Sequence, residues 1–181
     1  MSEVRDTAAE ARLLEVLGPL ANGDNASYDV IPCDPAFADT AAFCERYDYP
    51  PEKGANCIIV VGKGGPEPVF AACLVLSTTR LDVNKTVRAL LGTKKASFAD
   101  AALTEEFTGM KVGGVTPIGL PDSLKLFIDS RVMELDKVLV GGGSRSCKVI
   151  LSPALLLRLP NARVIEGLAT RPEGAAPIVE R

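Results

Sequence analysis

The chain has 181 residues, 47% of them hydrophobic and 24% charged, with a formal net charge of −3 and an isoelectric point near 5.1. That length suits one domain with a full core, and the acidic balance excludes a generally basic nucleic-acid coat while leaving room for a local basic face. The absence of histidine removes Ser-His-Asp and Cys-His triads, histidine general bases and most zinc sites, and the scarcity of aromatics argues against a base-stacking platform.

Five cysteines (Cys33, Cys44, Cys57, Cys73, Cys147) are odd in number and never spaced Cys-x-x-Cys. Scattered in apolar surroundings, they read as reduced core thiols of a cytoplasmic protein. The polar, acidic start does not read as a signal peptide, and no apolar run approaches a membrane span. No carboxylate cluster suggests a metal, and no cofactor is expected.

Taken in chain order, Val4, Ala8, Ala11, Leu14 and Leu17 predict an amphipathic helix over 3–17 that ends at Gly18-Pro19. Residues 22–25 form a turn. Tyr28 to Ile31 is a short strand stopped by Pro32, and Asp34-Pro35 caps a helix running to Arg46. After an irregular stretch from Tyr47 to Gly54, Asn56–Val61 and Val69–Ser77 make a hairpin. Both strands are nearly all apolar, so they lie centrally in a sheet. Asp82 caps a helix over 83–91 that stops at Gly92; Lys94 to Phe98 is a strand; Asp100 caps a helix to Phe107. Further strands fall at Leu124–Ile128, Lys137–Val140, Cys147–Leu151 and Ala162–Ile165, with a helix begun by Ser152-Pro153 and running to Leu159. A frayed tail starts at Thr170. The irregular alternation and the hairpin predict a mixed α+β single domain.

Two glycine-rich stretches fit no regular element. Thr108 to Gly119 holds four glycines and a proline, yet Met110, Val112, Val115 and Ile118 demand burial. Gly141-Gly142-Gly143-Ser144-Arg145 has the same character. Each is either a shaped wall that bares backbone amides toward a pocket or a tight turn under the core; their pairing favours the pocket. Gly62 to Glu67 fails the dinucleotide fingerprint because its sixth position is Glu and a strand follows it, and Gly141 to Lys148 lacks a Gly-Lys-Ser/Thr ending.

Thr108-Gly109, Val112-Gly113-Gly114-Val115-Thr116-Pro117-Ile118-Gly119, Ile128-Asp129 and Val140-Gly141-Gly142-Gly143-Ser144-Arg145 together resemble the YbaK/ProX family of aminoacyl-tRNA editing domains. Leu81-Asp82-Val83-Asn84-Lys85, Gly92 and Lys94-Lys95 extend the likeness upstream. The resemblance covers about residues 56–169 in colinear order, leaving 1–55 as N-terminal helices and a short strand packed on the domain, and 170–181 as a flexible tail. It implies a barrel-like mixed sheet with surrounding helices. It also implies a free-standing trans-editing deacylase that hydrolyses a mischarged aminoacyl ester on tRNA, with the acceptor end as partner and an aminoacyl-tRNA synthetase as a second candidate partner, in a monomer or homodimer.

On that analogy Gly113 and Gly114 carry catalytic amides, while Thr116, Pro117, Asp129, Gly142, Gly143, Ser144 and Arg145 bind substrate. Lys85, Arg88, Lys94 and Lys95 offer a basic face for tRNA; Lys85 and Arg88, three apart, share one side of a helix. Two departures stand out. Many family members have Lys at the start of the first hairpin strand, where this chain has Asn56. Lys148 stands where the deacylase acting on cysteinyl-tRNA has an acidic residue.

An aminoacyl ester is already activated, so fixed amide donors that polarise its carbonyl suffice, a single donor being worth about 10²–10³ in rate. The neighbouring ribose hydroxyl can relay the proton. Asn56 either donates to the ester or ribose or is a strand-edge residue satisfied by backbone. Cys147 has no base to activate it as a nucleophile. Three functional readings follow: the deacylase, an aminoacyl or nucleotide-binding module of the same family without turnover, and a hydrolase of some other small acyl ester.

Overall fold

The computed structural model describes residues 7–22 and 27–172. The described residues form three sheets: a five-stranded mixed sheet, a three-stranded antiparallel sheet, and a two-stranded ribbon. The strands are β1 (Tyr28–Pro32), β2 (Ala55–Lys63), β3 (Val69–Leu76), β4 (Arg80–Leu81), β5 (Lys95–Phe98), β6 (Lys125–Asp129), β7 (Val138–Gly141), β8 (Cys147–Leu151), β9 (Ala162–Ile165) and β10 (Ala169–Thr170). The large sheet runs β5-β2-β3-β6-β9, so the β2–β3 hairpin is central, as its unbroken apolar runs predict. β3, β6 and β9 are parallel neighbours. The small sheet runs β1-β8-β7, and β10 pairs with β4.

The fold is the mixed α+β single domain expected, but the sheet does not close into a barrel. The two larger sheets meet where Gly54 bridges Leu139. The main core lies between them, with Ile59, Leu74, Leu126 and Ile128 from one side meeting Val138, Val140, Val149 and Leu151 from the other. A second core of Val60, Cys73, Val87 and Phe127 fills the far face of the large sheet. Residues 28–55 belong to the same body, since β1 forms the edge of the small sheet along β8.

Among the described residues, four α-helices surround the sheets: α1 (Thr7–Ala21), α2 (Thr40–Tyr47), α3 (Arg88–Leu91) and α4 (Ala101–Thr108). Capping sets two starts as expected. The Asp82 carboxylate accepts from the Lys85 and Thr86 amides and opens a π-type turn over Val83–Val87 that passes into α3, and Gly92 ends α3 at φ +67°. Asp100 accepts from the Leu103 amide and starts α4. A carboxylate here satisfies donors the first turn leaves free.

Other expectations are corrected. The helix from Asp34 divides: Asp34 caps a single 3₁₀ turn at Pro35–Phe37, and α2 begins afresh after Asp39. α1 runs past Gly18 to Ala21 with Pro19 inside it, and its buried stripe is Leu13 and Leu17; Leu14 points outward at 48% exposure. The Leu-rich segment is a 3₁₀ helix at Pro153–Arg158, and Ser152 makes no side-chain cap bond there. Thr170 is held in β10. Asn22 is in a turn as expected; the rest of the expected turn at 22–25, the first residues of the N-terminal helix and the end of the tail fall on positions outside the described residues.

Candidate active site

A cleft of about 440 Å³ opens beside β2, lined by residues of α2, β2, the segment after β5, the first glycine stretch, Gly141 and Lys148. Its position follows from hydrogen-bond alternation along β2. The Ser77 amide donates to the Gly54 carbonyl, so even-numbered residues of β2 bond toward β3. The Ala99 amide donates to the Ile59 carbonyl, so odd-numbered residues bond toward the other edge. That edge is occupied by β5 over Val60–Lys63 and by β7 at Gly54. Between them, on this edge at Cys57, no strand pairs among the described residues, and the alternation directs the Cys57 N–H and C=O toward the cleft that Cys57 lines.

Asn56 lines the same cleft and is half-buried. Its side-chain amide makes no hydrogen bond among the described residues, so the strand-edge reading in which backbone satisfies it does not apply. Thr40, Ala55, Ile59, Ala99 and Val115 give an otherwise small and mainly apolar lining, and Phe98 (57% exposed) and Val112 (51%) rise beside it.

The two glycine stretches converge, and they do so back to back. The Gly143 amide donates to the Gly114 carbonyl at 2.8 Å. A Cβ on Gly114 would lie 2.5 Å from the Ser144 carbonyl carbon, and one on Gly141 would collide with the Val115 carbonyl oxygen. Glycine is required here because two backbones touch. Consequently Gly113, Val115 and Gly141 reach the cleft, whereas Gly114, Gly142, Gly143, Ser144 and the fully buried Thr116 form the packed layer behind it. α1 covers that layer from the far side: the buried Glu10 accepts from Ser146 Oγ at 2.9 Å, and Ala9 sits against Gly143.

Arg145 is a clamp. Its Nε and Nη2 donate to the Pro35 carbonyl at 3.2 and 2.8 Å, and its Nη1 to the Val112 carbonyl at 2.9 Å; Nη2 lies 3.6 Å from Asp39 Oδ2. These bonds tie both glycine stretches to the turn before α2.

The family model for the aminoacyl-tRNA editing domain matches residues 34–159. The chain belongs to the aminoacyl-tRNA editing domain family. Among solved structures, a protein described as a candidate trans-editing enzyme for prolyl tRNA synthetase superposes with a TM-score of 0.73 at 21% identity, over 93% of this chain and 99% of that one. A hypothetical protein superposes at 0.71 with 22% identity, over 87% and 99% of the two chains. At such identities the likeness is one of fold.

In this editing domain the expected site residues do not gather in one place. Asn56 and Gly113 line the cleft. Pro117 lines a separate small pocket with Val16 and Leu159, and Asp129 sits at the end of β6, fully buried. There Asp129 receives Arg131 Nε and Nη2 at 2.7 and 2.8 Å and the Ala169 amide at 2.9 Å, which fastens β10 to the sheet. Burial alone would raise its pKa; the Arg131 guanidinium and the two backbone donors outweigh burial and hold the carboxyl below its usual range.

Lys85, Arg88, Lys94 and Lys95 are all exposed around the start of β5 and the helix beside it. Lys63 joins them, because β2 and β5 place it directly opposite Lys95. Like charges across a strand pair are unfavourable unless an anion sits between them. From Lys95 the strand reaches Phe98 at the cleft in three residues, roughly 10 Å.

Sequence reasoning missed Lys63, Phe98 and the Cys57 edge, and singled out Lys148 only as a departure from the family, without a role in the site. Lys148 is 2% exposed, lines the cleft, and donates through Nζ to the Gly113 carbonyl at 3.3 Å. Burial depresses its pKa and Arg145 adds to that, against the opposing pull of Cys33, Asp39 and Cys44. The thiols are poor nucleophiles: burial raises Cys57, and it pushes Cys147 up to about 11. Among the described residues no His/Cys/Asp/Glu cluster could hold a metal, and no helix is long and apolar enough to cross a membrane.

Proposed function

We propose that this protein is a trans-editing aminoacyl-tRNA deacylase that hydrolyses a mischarged aminoacyl ester. The observation that carries the reading is the gap in the β2 edge, where a main-chain N–H and C=O meet an unpartnered Asn56 amide inside a cleft of about 440 Å³. In this reading the Cys57 N–H polarises the ester carbonyl and the Asn56 amide orients the ester or ribose. The ribose hydroxyl adjacent to the ester relays the proton from the attacking water, so no histidine is needed. Phe98 stacks under the terminal adenine, and Lys63, Lys85, Arg88, Lys94 and Lys95 take the phosphates that follow. Arg145, Ser144, Gly114, Gly142, Gly143 and Thr116 serve by holding the cleft wall in place.

The small lining favours an aminoacyl group of small or medium size. The test incubates pure protein with a panel of mischarged tRNAs and follows ester loss; no acceleration over buffer across the panel ends the enzymatic reading. Asn56 in place of the family's usual Lys favours one alternative, a binding module without turnover. Asn56→Lys would then create activity that the wild-type protein lacks.

A further inference from the structure

Lys148 presents an imbalance that the fold does not resolve internally. Its ammonium has three donor directions, and a single carbonyl, that of Gly113, takes one of them at a long 3.3 Å. No carboxylate among the described residues lies within ion-pair distance of it. Asp39, the nearest acidic influence, is 63% exposed and is turned to Arg145. Leaving a lysine buried without an acid partner is unfavourable for folding, so its retention needs another explanation.

Its surroundings supply one. β8 pairs Lys148 with Ile31 on one side and Gly141 on the other, which brings the side chain from the small sheet into the cleft that β2 borders from the large sheet. Asn56 and Lys148 thus line one space from two different sheets. We propose that Lys148 is the charged donor of the cleft: its ammonium binds the carbonyl oxygen of the aminoacyl ester and stabilises the oxyanion formed there.

The step balances without another reagent. Water oxygen attacks the ester carbonyl carbon, and the carbonyl π pair moves onto oxygen, held by Lys148 Nζ. Collapse reforms the C=O and breaks the bond to the ribose oxygen. That oxygen leaves with the proton of the attacking water, relayed by the adjacent hydroxyl, giving a free amino acid and a tRNA ending in an intact diol. Asn56 offers a neutral donor to the same ester; a charged donor is roughly twice as strong.

The inference rests on the deacylase reading, and the experiment separates the two. Single-turnover ester loss is measured for wild type, Lys148→Met and Lys148→Arg on the mischarged tRNA panel between pH 6 and 10, after subtracting buffer hydrolysis. Lys148→Met is expected to lower the rate constant about 100-fold while its half-saturation concentration changes little, and Lys148→Arg to recover part of the loss. The Met variant should melt no earlier than wild type, since it relieves a buried charge. Because the donor must be protonated, wild-type activity falls as pH rises through the depressed pKa of Lys148, in a setting that includes Cys33, Cys44, Asp39 and Arg145; the Met variant lacks that fall.

Ester loss by wild type that persists unchanged in Lys148→Met overturns this inference alone. A limb of activity that rises with pH and disappears in the Met variant also overturns it, because the amine would then be acting as a base. Equal loss in Met and Arg, with both melting early, assigns Lys148 to structure and overturns it too. No ester loss by wild type on any tRNA overturns the deacylase reading and the inference with it.

Discussion

The Gly143 amide donates to the Gly114 carbonyl at 2.8 Å, joining two segments nearly thirty residues apart through backbone alone. Nothing larger than hydrogen fits between these stretches, because the nearest atoms on each side are main-chain and cannot rotate away. Gly141→Ala would set its methyl against the Val115 carbonyl oxygen, with the Gly114 oxygen 2.8 Å away. The expected destabilisation is about 3 kcal/mol or more, at the upper end for overpacking. Urea unfolding checks it; a change below about 1 kcal/mol would show that the layer is loose.

Asp129 gives the fold an acid-sensitive joint. Its folded pKa lies below the unfolded value, so its stabilisation is full above the unfolded carboxyl pKa of about 3.9 and is lost as pH falls through the folded value. Asp129→Asn is expected to destabilise by about 3 kcal/mol at pH 7, since it leaves Arg131 without its bidentate partner. The gap between the two proteins should narrow below pH 4. Unfolding curves at pH 7 and pH 3 decide the matter, and a gap independent of pH would refute the assignment.

Phe98 stands 57% exposed beside the cleft, where the proposed reading lays the terminal adenine on its ring. Phe98→Ala should leave the melting temperature nearly unchanged. Stacking of one base is worth about 1–3 kcal/mol, so affinity for a non-hydrolysable aminoacyl-adenosine should drop roughly 5- to 150-fold. Calorimetric titration reads it directly, and undiminished affinity would move the adenine elsewhere.

Lys63 and Lys95 face each other across β2 and β5. Replacing both by Gln should weaken tRNA binding and reduce the slope of log affinity against log salt by about 1 for each phosphate no longer neutralised. Hydrolysis of a short aminoacyl-adenosine ester, which carries no such phosphates, should be spared. If both activities fell alike, these lysines would belong to the cleft chemistry instead.

Much of this arrangement is legible in the chain because local chemistry decides it. Asp82 and Asp100 announce their helices through a carboxylate placed three residues before an amide it can accept. The β2–β3 hairpin follows from two apolar runs around a glycine-rich turn. Where two local solutions compete, sequence reading picks the wrong one: Asp39 restarts a helix that Asp34 could have carried through, and Leu13 rather than Leu14 faces inward because the packing of α1 on the glycine layer fixes its rotation. The parallel pairing of β3, β6 and β9 is invisible locally, since a short apolar run looks alike in either direction. The glycine stretches are recognisable as special, but their purpose differs from a row of bared amides: Gly114, Gly141 and Gly142 let backbones touch, and Gly109, Gly113, Gly119 and Gly143 carry the chain through positive φ. Lys148 is the plainest case. Within Cys-Lys-Val-Ile-Leu it reads as the polar face of a strand, and only the arrangement of two sheets turns it into a cleft.

The interruption at Cys57 also limits what can enter. An exposed sheet margin normally invites another chain to lie along it and extend the ladder. Here a strand on each flank leaves a single rung, too short for an added polypeptide to gain register. Under the proposed deacylase reading, a compact acyl group with one acceptor and one donor fits such a rung, and the same shortness turns peptides away and disfavours self-association along that margin.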